Sequence, residues 1–119
     1  MKILKMVKSF QFAFKGIFEL IKSENNAKFH FLATVLVLTA GFIVKLTKYE
    51  WVVIIVLISL VWSAEAFNSA IEKLCDLIMP EKNIEIGKVK DLAAAGVLFI
   101  AMAAFVIATV IFLPKVFKV

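Results

Sequence analysis

The stretch that decides the fold is residues 50–78, EWVVIIVLISLVWSAEAFNSAIEKLCDLI, where a long apolar run passes directly into a polar one. From Trp51 to Ala64 no residue is charged, as expected of a helix that contacts lipid. The second half carries three acids and one amide: Glu65, Asn68, Glu72 and Asp76. At about 100° per residue, these four side chains share one stripe of one helix. The pattern predicts a membrane helix with one polar face.

The composition of the whole chain agrees with a membrane location. Its 119 residues are 63% hydrophobic, and the mean hydropathy is +1.00. Both values are typical of an integral membrane protein rather than a soluble domain. The formal charge of +5 comes from lysines that flank apolar runs. This placement favours membrane headgroups as their partners and gives no basic patch for nucleic acid.

Four helices are predicted, in one domain that covers residues 1–119. Lysines alternate with apolar residues at helical spacing near the start, which favours an amphipathic helix on the membrane surface. The later apolar runs are long enough to span a bilayer. The chain is thus an all-α integral membrane protein with a surface helix at 1–22 and transmembrane helices at 27–46, 50–78 and 92–113.

Turn-forming and helix-breaking residues separate these helices. Residues 23–26 and 47–50 are predicted connections, and residues 81–90 a polar loop after Pro80. Pro114 is predicted to end the last helix. With the N-terminus in the cytoplasm, ten of the 14 lysines lie on the inner side and four on the outer side. This bias predicts the N-terminus inside and the C-terminus outside.

The depth of the polar stripe decides what it can do. Glu65 follows Trp51 by 14 residues, or about 21 Å along a helix, in a hydrocarbon core about 30 Å thick. A carboxylate at the bilayer centre costs about 2.5–3.5 kcal/mol, so such a group needs a partner or a function. The stripe is predicted to rise from the cytoplasmic interface into the inner leaflet. A lipid headgroup and a cytosolic cofactor could both reach it.

Several charged residues are predicted to gather at this inner boundary. The carboxylates of Glu24, Glu72 and Asp76 would form a hard-oxygen environment that suits Mg²⁺. Lys90 at the mouth of the last span suits phosphate. Phosphoryl transfer needs positive charge near the phosphates and a base for the attacking hydroxyl, and these groups with Glu65 as the base would supply both. Simpler interpretations exist for single residues: interhelical hydrogen bonds for Asn68 and Ser69, and a boundary position for His30.

Three motifs resemble one known family. Residues 65–76, EAFNSAIEKLCD, resemble the signature E-x-x-N-[ST]-[SA]-[IV]-E-x-x-x-D of the bacterial diacylglycerol kinases, which include undecaprenol kinases. KDLAAA at residues 90–95 resembles the second motif of the family, and FKG at residues 14–16 and Glu24 fall in register without gaps. The resemblance covers nearly the whole chain.

The resemblance implies a homotrimeric lipid kinase of the bacterial cytoplasmic membrane, with active sites shared between subunits. The enzyme would transfer the γ-phosphate of ATP to diacylglycerol or undecaprenol. Glu65 would be the general base, supported by Asn68, and Glu24 and Glu72 would hold Mg²⁺. The implied nucleotide contacts are Lys5, Phe12, Glu24, Glu72, Glu81, Lys82, Asn83, Lys90 and Asp91. The implied lipid contacts are Lys5, Ser9, Phe14, Asn26, Lys28, Trp51 and Glu65.

Four positions depart from well-studied members of the family. Lys5 and Lys28 stand where those members have arginine, so the bidentate fork of the guanidinium is missing. Phe12 and Phe14 replace a tyrosine and a tryptophan, which removes a hydroxyl and an indole N–H. These changes concern the lipid and adenine contacts and leave the core chemistry intact.

Two other classes of protein compete with a kinase. A small multidrug-type, proton-coupled transporter would use Glu65 as its membrane carboxylate, but it needs four spans, a central acid and inverted repeats. A non-catalytic membrane scaffold would use the polar stripe for packing. It leaves the joint placement of Glu24, Glu72, Lys90 and Asp91 without a purpose.

Overall fold

Four helices make up the computed structural model, which describes residues 2–117. They are α1 (Lys2–Ser23), α2 (Asn25–Val44), α3 (Lys48–Ile78) and α4 (Ile84–Phe117). The predicted all-α class is therefore confirmed, and α2, α3 and α4 are long and apolar enough to cross a membrane. Met1 of the predicted surface helix and Lys118 of the lysine count lie outside the described residues.

The first helix projects away from the other three. The molecule measures 53 × 44 × 21 Å, and three adjacent helices of about 10 Å diameter do not fill the 44 Å dimension. A single residue in extended conformation, Glu24 (φ −102°, ψ 124°), separates α1 from α2. The predicted connection at residues 23–26 was too long, because Asn25 and Asn26 already belong to α2.

The connection between α2 and α3 is held by specific backbone geometry. Lys45 adopts the left-handed conformation (φ 59°), and its N–H and that of Leu46 both donate to the carbonyl oxygen of Gly41. Thr47 then caps α3, because its side chain accepts from the Glu50 N–H while the Glu50 carboxylate accepts from the Thr47 N–H. The predicted helix ends at residue 46 and residue 50 were therefore wrong by two residues each.

The fourth helix is longer than predicted at both ends. It begins at Ile84, because the Asn83 side chain accepts hydrogen bonds from the N–H groups of Glu85 and Ile86. The predicted loop at residues 81–90 is therefore wrong from residue 84 onwards. Pro114 lies inside the helix, which continues to Phe117.

An ion pair accompanies the extension past Pro114. The ammonium group of Lys115 lies 2.9 Å from the carboxylate of Glu50, the acid of the α3 capping box. This contact joins the end of α4 to the start of α3. The ion pair anchors the last turn of α4 to α3. Pro114, in that turn, has no backbone N–H and so cannot donate a hydrogen bond within the helix.

Very few residues of the described chain are buried. Apart from Glu65, Ile54 is the one large side chain with less than 2% exposure among the described residues. The described part of α4 contains no buried residue, although the helix is the most hydropathic of the three candidate spans. Lipid or neighbouring subunits must therefore cover most of the apolar surface.

Gly41 generates the first prediction, because the Trp51 indole packs directly against it. A Cβ atom at Gly41 would lie 2.7 Å from the Trp51 ring and 2.9 Å from the Leu46 side chain. We expect Gly41→Ala to lower the free energy of unfolding in detergent by about 1–3 kcal/mol, the usual cost of overpacking. The control is Gly16→Ala, where a Cβ meets nothing within 4 Å and alanine favours the helix. Equal stability of the two variants would contradict this packing.

Candidate active site

The centre of the site is the carboxylate of Glu65, which is buried between α2 and α3. Glu65 is 1% exposed. Its Oε2 atom lies 3.3 Å from Nε2 of His30, whose side chain is 16% exposed. The two groups are at ion-pair distance, but they are not aligned as a hydrogen bond, and Oε2 has no hydrogen-bond donor among the described residues. The acid therefore lies next to one basic group, His30, and its Oε2 atom receives no hydrogen bond from the described residues.

A short chain of hydrogen bonds joins α2 to α3 beside His30. The Thr34 hydroxyl, one turn further along α2, donates to the His30 carbonyl oxygen at 2.7 Å. The same hydroxyl accepts from the indole Nε1–H of Trp62 at 3.0 Å. Trp62 precedes Glu65 by three residues on α3, and its ring meets that of His30 edge-on. These bonds tie the two helices together next to the imidazole, and the Trp62 ring borders the imidazole itself.

Asn68 and Ser69 lie one turn from Glu65 and are also buried. Both are 5% exposed, and neither Asn68 Oδ1 nor Ser69 Oγ has a hydrogen-bond partner in residues 2–117. The interpretation of these side chains as interhelical hydrogen-bond partners is therefore not supported within one subunit. Glu65 and Asn68 instead line a cavity of about 280 Å³, together with Asn26 and the α4 residues Ala94 and Ala101.

Charged side chains gather at the end of the stripe nearest the α3–α4 connection. Glu72 lies within electrostatic range of Glu24, Glu65, Asp76 and Lys90. The Lys90 ammonium donates to the Asp76 carboxylate at 2.6 Å, which joins α3 to α4. The predicted gathering of these charges, which rested on helix placement alone, is therefore seen in one subunit.

The acids alone do not form a complete metal cage. Within the described residues, no three acidic, histidine or cysteine side chains meet closely enough to hold a metal ion. The predicted trio of Glu24, Glu72 and Asp76 was therefore too broad, because Asp76 is engaged by Lys90. Glu24 and Glu72 remain as two carboxylates within electrostatic range of each other, and a cation would relieve their repulsion. This set fits Mg²⁺, which is usually held by one or two carboxylates with phosphate and water oxygens.

A second, exposed cavity lies beside the α3–α4 connection. It measures about 440 Å³ and is lined by Glu81, Lys82, Asn83 and Lys90. Asp91 is exposed on the next position of α4. The side-chain oxygen of Asn83 accepts the two hydrogen bonds that cap α4. The NH₂ group of the same side chain takes no part in the cap and can donate to a ligand.

The remaining predicted contacts are not brought to Glu65 within one subunit. On α1, the side chains of Lys5, Ser9, Phe12 and Phe14 are exposed, and the Ser9 hydroxyl donates to the Lys5 carbonyl oxygen. Trp51 lies at the opposite end of α3 and packs against Phe42. Lys28 is exposed on the first turn of α2. Of the predicted lipid contacts other than Glu65, Asn26 alone lines the cavity of the acid.

Sequence reasoning missed His30, Thr34 and Trp62. His30 was interpreted as a boundary residue of the span. Two signals were available. His30 and Thr34 are spaced to share one face of α2, and a tryptophan in the middle of a span needs a partner for its N–H.

Comparison with known proteins places this site in a family. The family model described as prokaryotic diacylglycerol kinase matches residues 11–112. The chain belongs to the prokaryotic diacylglycerol kinase family. This confirms the resemblance of the motifs, and the chain is accordingly a lipid kinase.

Two relatives of this kinase carry different names. This chain is 40% identical over 111 residues to a protein named undecaprenol kinase from Bacillus subtilis (strain 168). The match covers 93% of this chain and 90% of the relative. The chain is 31% identical over 107 residues to a protein named diacylglycerol kinase from Synechocystis, covering 89% of this chain and 61% of the relative. The kinase thus resembles members named for two different lipid alcohols.

The bond between Trp62 and Thr34 can be tested by a double-mutant cycle in this kinase. Trp62→Phe removes the donor and Thr34→Val removes the acceptor, so the two changes should not add. We expect a coupling of about 0.6 kcal/mol, the average for interhelical hydrogen bonds in membranes. The measurement is unfolding of both single variants and the double variant in detergent. Additive losses would show that the two side chains do not interact.

Proposed function

We propose that this kinase transfers the γ-phosphate of ATP to the hydroxyl of a lipid alcohol, with undecaprenol as its main acceptor. The main support for this proposal is the burial of the Glu65 carboxylate in a candidate membrane span. Glu65 and Asn68 line the same cavity there. A buried acid that faces a cavity at membrane depth is suited to an alcohol group carried by a lipid.

In this proposal Glu65 is the general base. Its carboxylate takes the proton of the lipid hydroxyl while the hydroxyl oxygen attacks the γ-phosphorus and the bond to the β-phosphate oxygen breaks. Asn68, whose side-chain oxygen has no partner in the described chain, helps to orient the acceptor hydroxyl. Asn26, which lines the same cavity, contacts the lipid near its polar end.

The nucleotide is proposed to bind where the charges gather. Glu24 and Glu72 hold Mg²⁺, which neutralises charge on the phosphates when it is bound. Lys90 supplies a positive charge for the phosphates, and Asp91 lies beside it. The cavity that Glu81, Lys82 and Asn83 line next to Lys90 has room for the remainder of ATP.

The wider setting is also a proposal. The inner boundary of the stripe faces the cytoplasm, as the lysine bias indicates, and α1 lies on that surface of a bacterial cytoplasmic membrane. The homotrimer that the resemblance implies would cover part of the α4 surface, which buries no residue in the described part of the chain. Neighbouring subunits would then complete the site with the α1 residues Lys5, Ser9, Phe12 and Phe14, and Lys28 and Trp51 would border the lipid entrance.

The transporter hypothesis lacks support. Three helices in residues 2–117 could span a membrane, whereas an inverted-repeat transporter of this size would need four. The family and its named relatives are lipid kinases. A scaffold without catalysis is equally at odds with that family.

The choice of acceptor is a prediction. The relative named undecaprenol kinase has the higher identity and matches along nearly its full length. We therefore expect purified protein with labelled ATP and Mg²⁺ in mixed micelles to phosphorylate undecaprenol with a higher kcat/KM than diacylglycerol. A higher value for diacylglycerol would reverse the assignment of the acceptor. Labelling of neither lipid would overturn the proposed function.

Glu72 gives a second prediction. Glu72→Gln removes one of the two acids proposed to hold Mg²⁺, so the Mg²⁺ concentration for half-maximal rate should rise by about tenfold or more. The matched control is Glu85→Gln, since Glu85 is exposed and pairs only with Lys88 among the described residues. A titration of activity with Mg²⁺ measures both variants. An unchanged Mg²⁺ dependence in Glu72→Gln would exclude this residue as a ligand.

A further inference from the structure

We propose that His30 is the proton acceptor of Glu65, taking from the buried carboxyl group the proton that each turnover delivers to it. The inference rests on the proposed kinase chemistry, in which Glu65 removes the proton of the lipid hydroxyl. It concerns the step that must follow, because Glu65 has to return to its ionised form before it can act again.

Burial leaves Glu65 few ways to lose a proton. The residue is 1% exposed, so bulk water has almost no access to it. In the described part of the chain, Glu65 has one ion-pairing side chain, the His30 imidazole, with Nε2 3.3 Å from Oε2. Histidine is the side chain best suited to accept and release a proton near neutral pH.

His30 lies between the acid and the surroundings of the protein. Its side chain is 16% exposed, against 2% for that of Glu65. A proton that moves from Glu65 to His30 therefore moves from an enclosed group to one with partial exposure. His30 follows Asn26 by one turn of α2, close to the predicted inner boundary of the span. Asn26, which lines the cavity shared by His30 and Glu65, lies between His30 and the start of α2.

The surroundings of His30 add no competing charge. Two cavities border the imidazole, one shared with Glu65 and one of about 110 Å³ that leads toward Ile54 and Ala108. Among the side chains that line them on α2, α3 and α4, Glu65 alone carries a carboxylate and none carries an ammonium group. Glu72 lies further along α3, and Lys28 is exposed on α2.

An aromatic ring borders the imidazole on the α3 side. The Trp62 ring meets the imidazole edge-on, with the ring centroids 6.3 Å apart. The Thr34 hydroxyl, which accepts from the Trp62 indole, bonds the backbone carbonyl oxygen of His30 and so ties this part of α2 to α3.

The proposed step balances without a further reactant. The lipid hydroxyl gives its proton to the Glu65 carboxylate as its oxygen bonds to phosphorus, which leaves Glu65 as a neutral carboxylic acid. Oε2–H then donates its proton to Nε2 of the neutral imidazole, which must carry its own hydrogen on Nδ1 so that the Nε2 lone pair is free to accept. The carboxylate is restored, and imidazolium forms. Imidazolium releases the proton to water at the membrane boundary before the next turnover.

Two variants of His30, the single histidine of the chain, test the relay. His30→Ala removes the imidazole and opens space beside the 280 Å³ cavity, which added free imidazole can enter. His30→Gln keeps most of the volume and an amide that can hydrogen-bond Glu65, but it cannot carry a proton. Both variants are assayed on undecaprenol and diacylglycerol in micelles, beside wild type, with and without imidazole.

A relay predicts a specific pattern. Both variants should lose about 100-fold in kcat, the lower end of what acid–base groups contribute, while KM for ATP is unchanged. Imidazole should restore kcat in His30→Ala and leave His30→Gln slow. Near wild-type turnover in either variant, or no effect of imidazole on His30→Ala, would overturn the inference. Because wild type is measured in the same assay, absence of lipid phosphorylation there would instead overturn the proposed function.

Discussion

The structure depends on the cost of holding a carboxylate inside a membrane. Glu65 is one of two large side chains with less than 2% exposure in the described chain, and an acid at such depth costs about 2.5–3.5 kcal/mol. The imidazole of His30 provides a nearby base, and Asn68 and Ser69 add polar atoms that no neighbour in residues 2–117 satisfies. These atoms are available to a ligand that brings its own hydroxyl and phosphate groups, as the proposed lipid kinase chemistry requires.

The rest of the fold positions this buried acid beside a cavity. The two ends of α3 are tied to α4 by ion pairs, Glu50 with Lys115 and Asp76 with Lys90. Between them, the facing part of α4 carries small residues such as Ala94 and Ala101, and a cavity stays open in front of Glu65. Because the described part of α4 buries nothing within one subunit, its apolar surface remains for lipid or for another copy of the chain. Assembly and catalysis are thus linked in the proposed trimer.

The fold and the site were predictable to different degrees. The polar stripe and the three long helices followed from periodicity and hydropathy, since a 3.6-residue repeat places Glu65 and Asn68 on one face. Helix ends were less predictable. Asn83 was interpreted as a loop residue rather than a cap, and Pro114 as a stop although the helix continues past it. The Asn83 error overlooked a local cap, in which the side chain accepts from Glu85 and Ile86. The Pro114 error arose because the proline was weighed without a tertiary contact, the Glu50–Lys115 pair.

The contact between His30 and Glu65 was the least predictable part of the site. The two residues are far apart in the sequence, and only the packing of α2 on α3 brings them to 3.3 Å. Spacing along one helix can place side chains on one face, but it does not reveal which residue of another helix lies opposite. The same holds for the residues of α1 and for Trp51, whose proposed roles depend on neighbouring subunits.

The most direct test of the central claim is a single turnover of Glu65→Gln. A preformed complex of the variant with Mg²⁺, ATP and the lipid alcohol is followed for transfer of labelled phosphate, with ATP binding and thermal unfolding measured in parallel. We expect transfer to slow by about 10²–10⁴-fold, the range for loss of a general base, with nucleotide binding retained and the assembly stable. Transfer at the wild-type rate would show that the buried carboxylate does not activate the lipid hydroxyl.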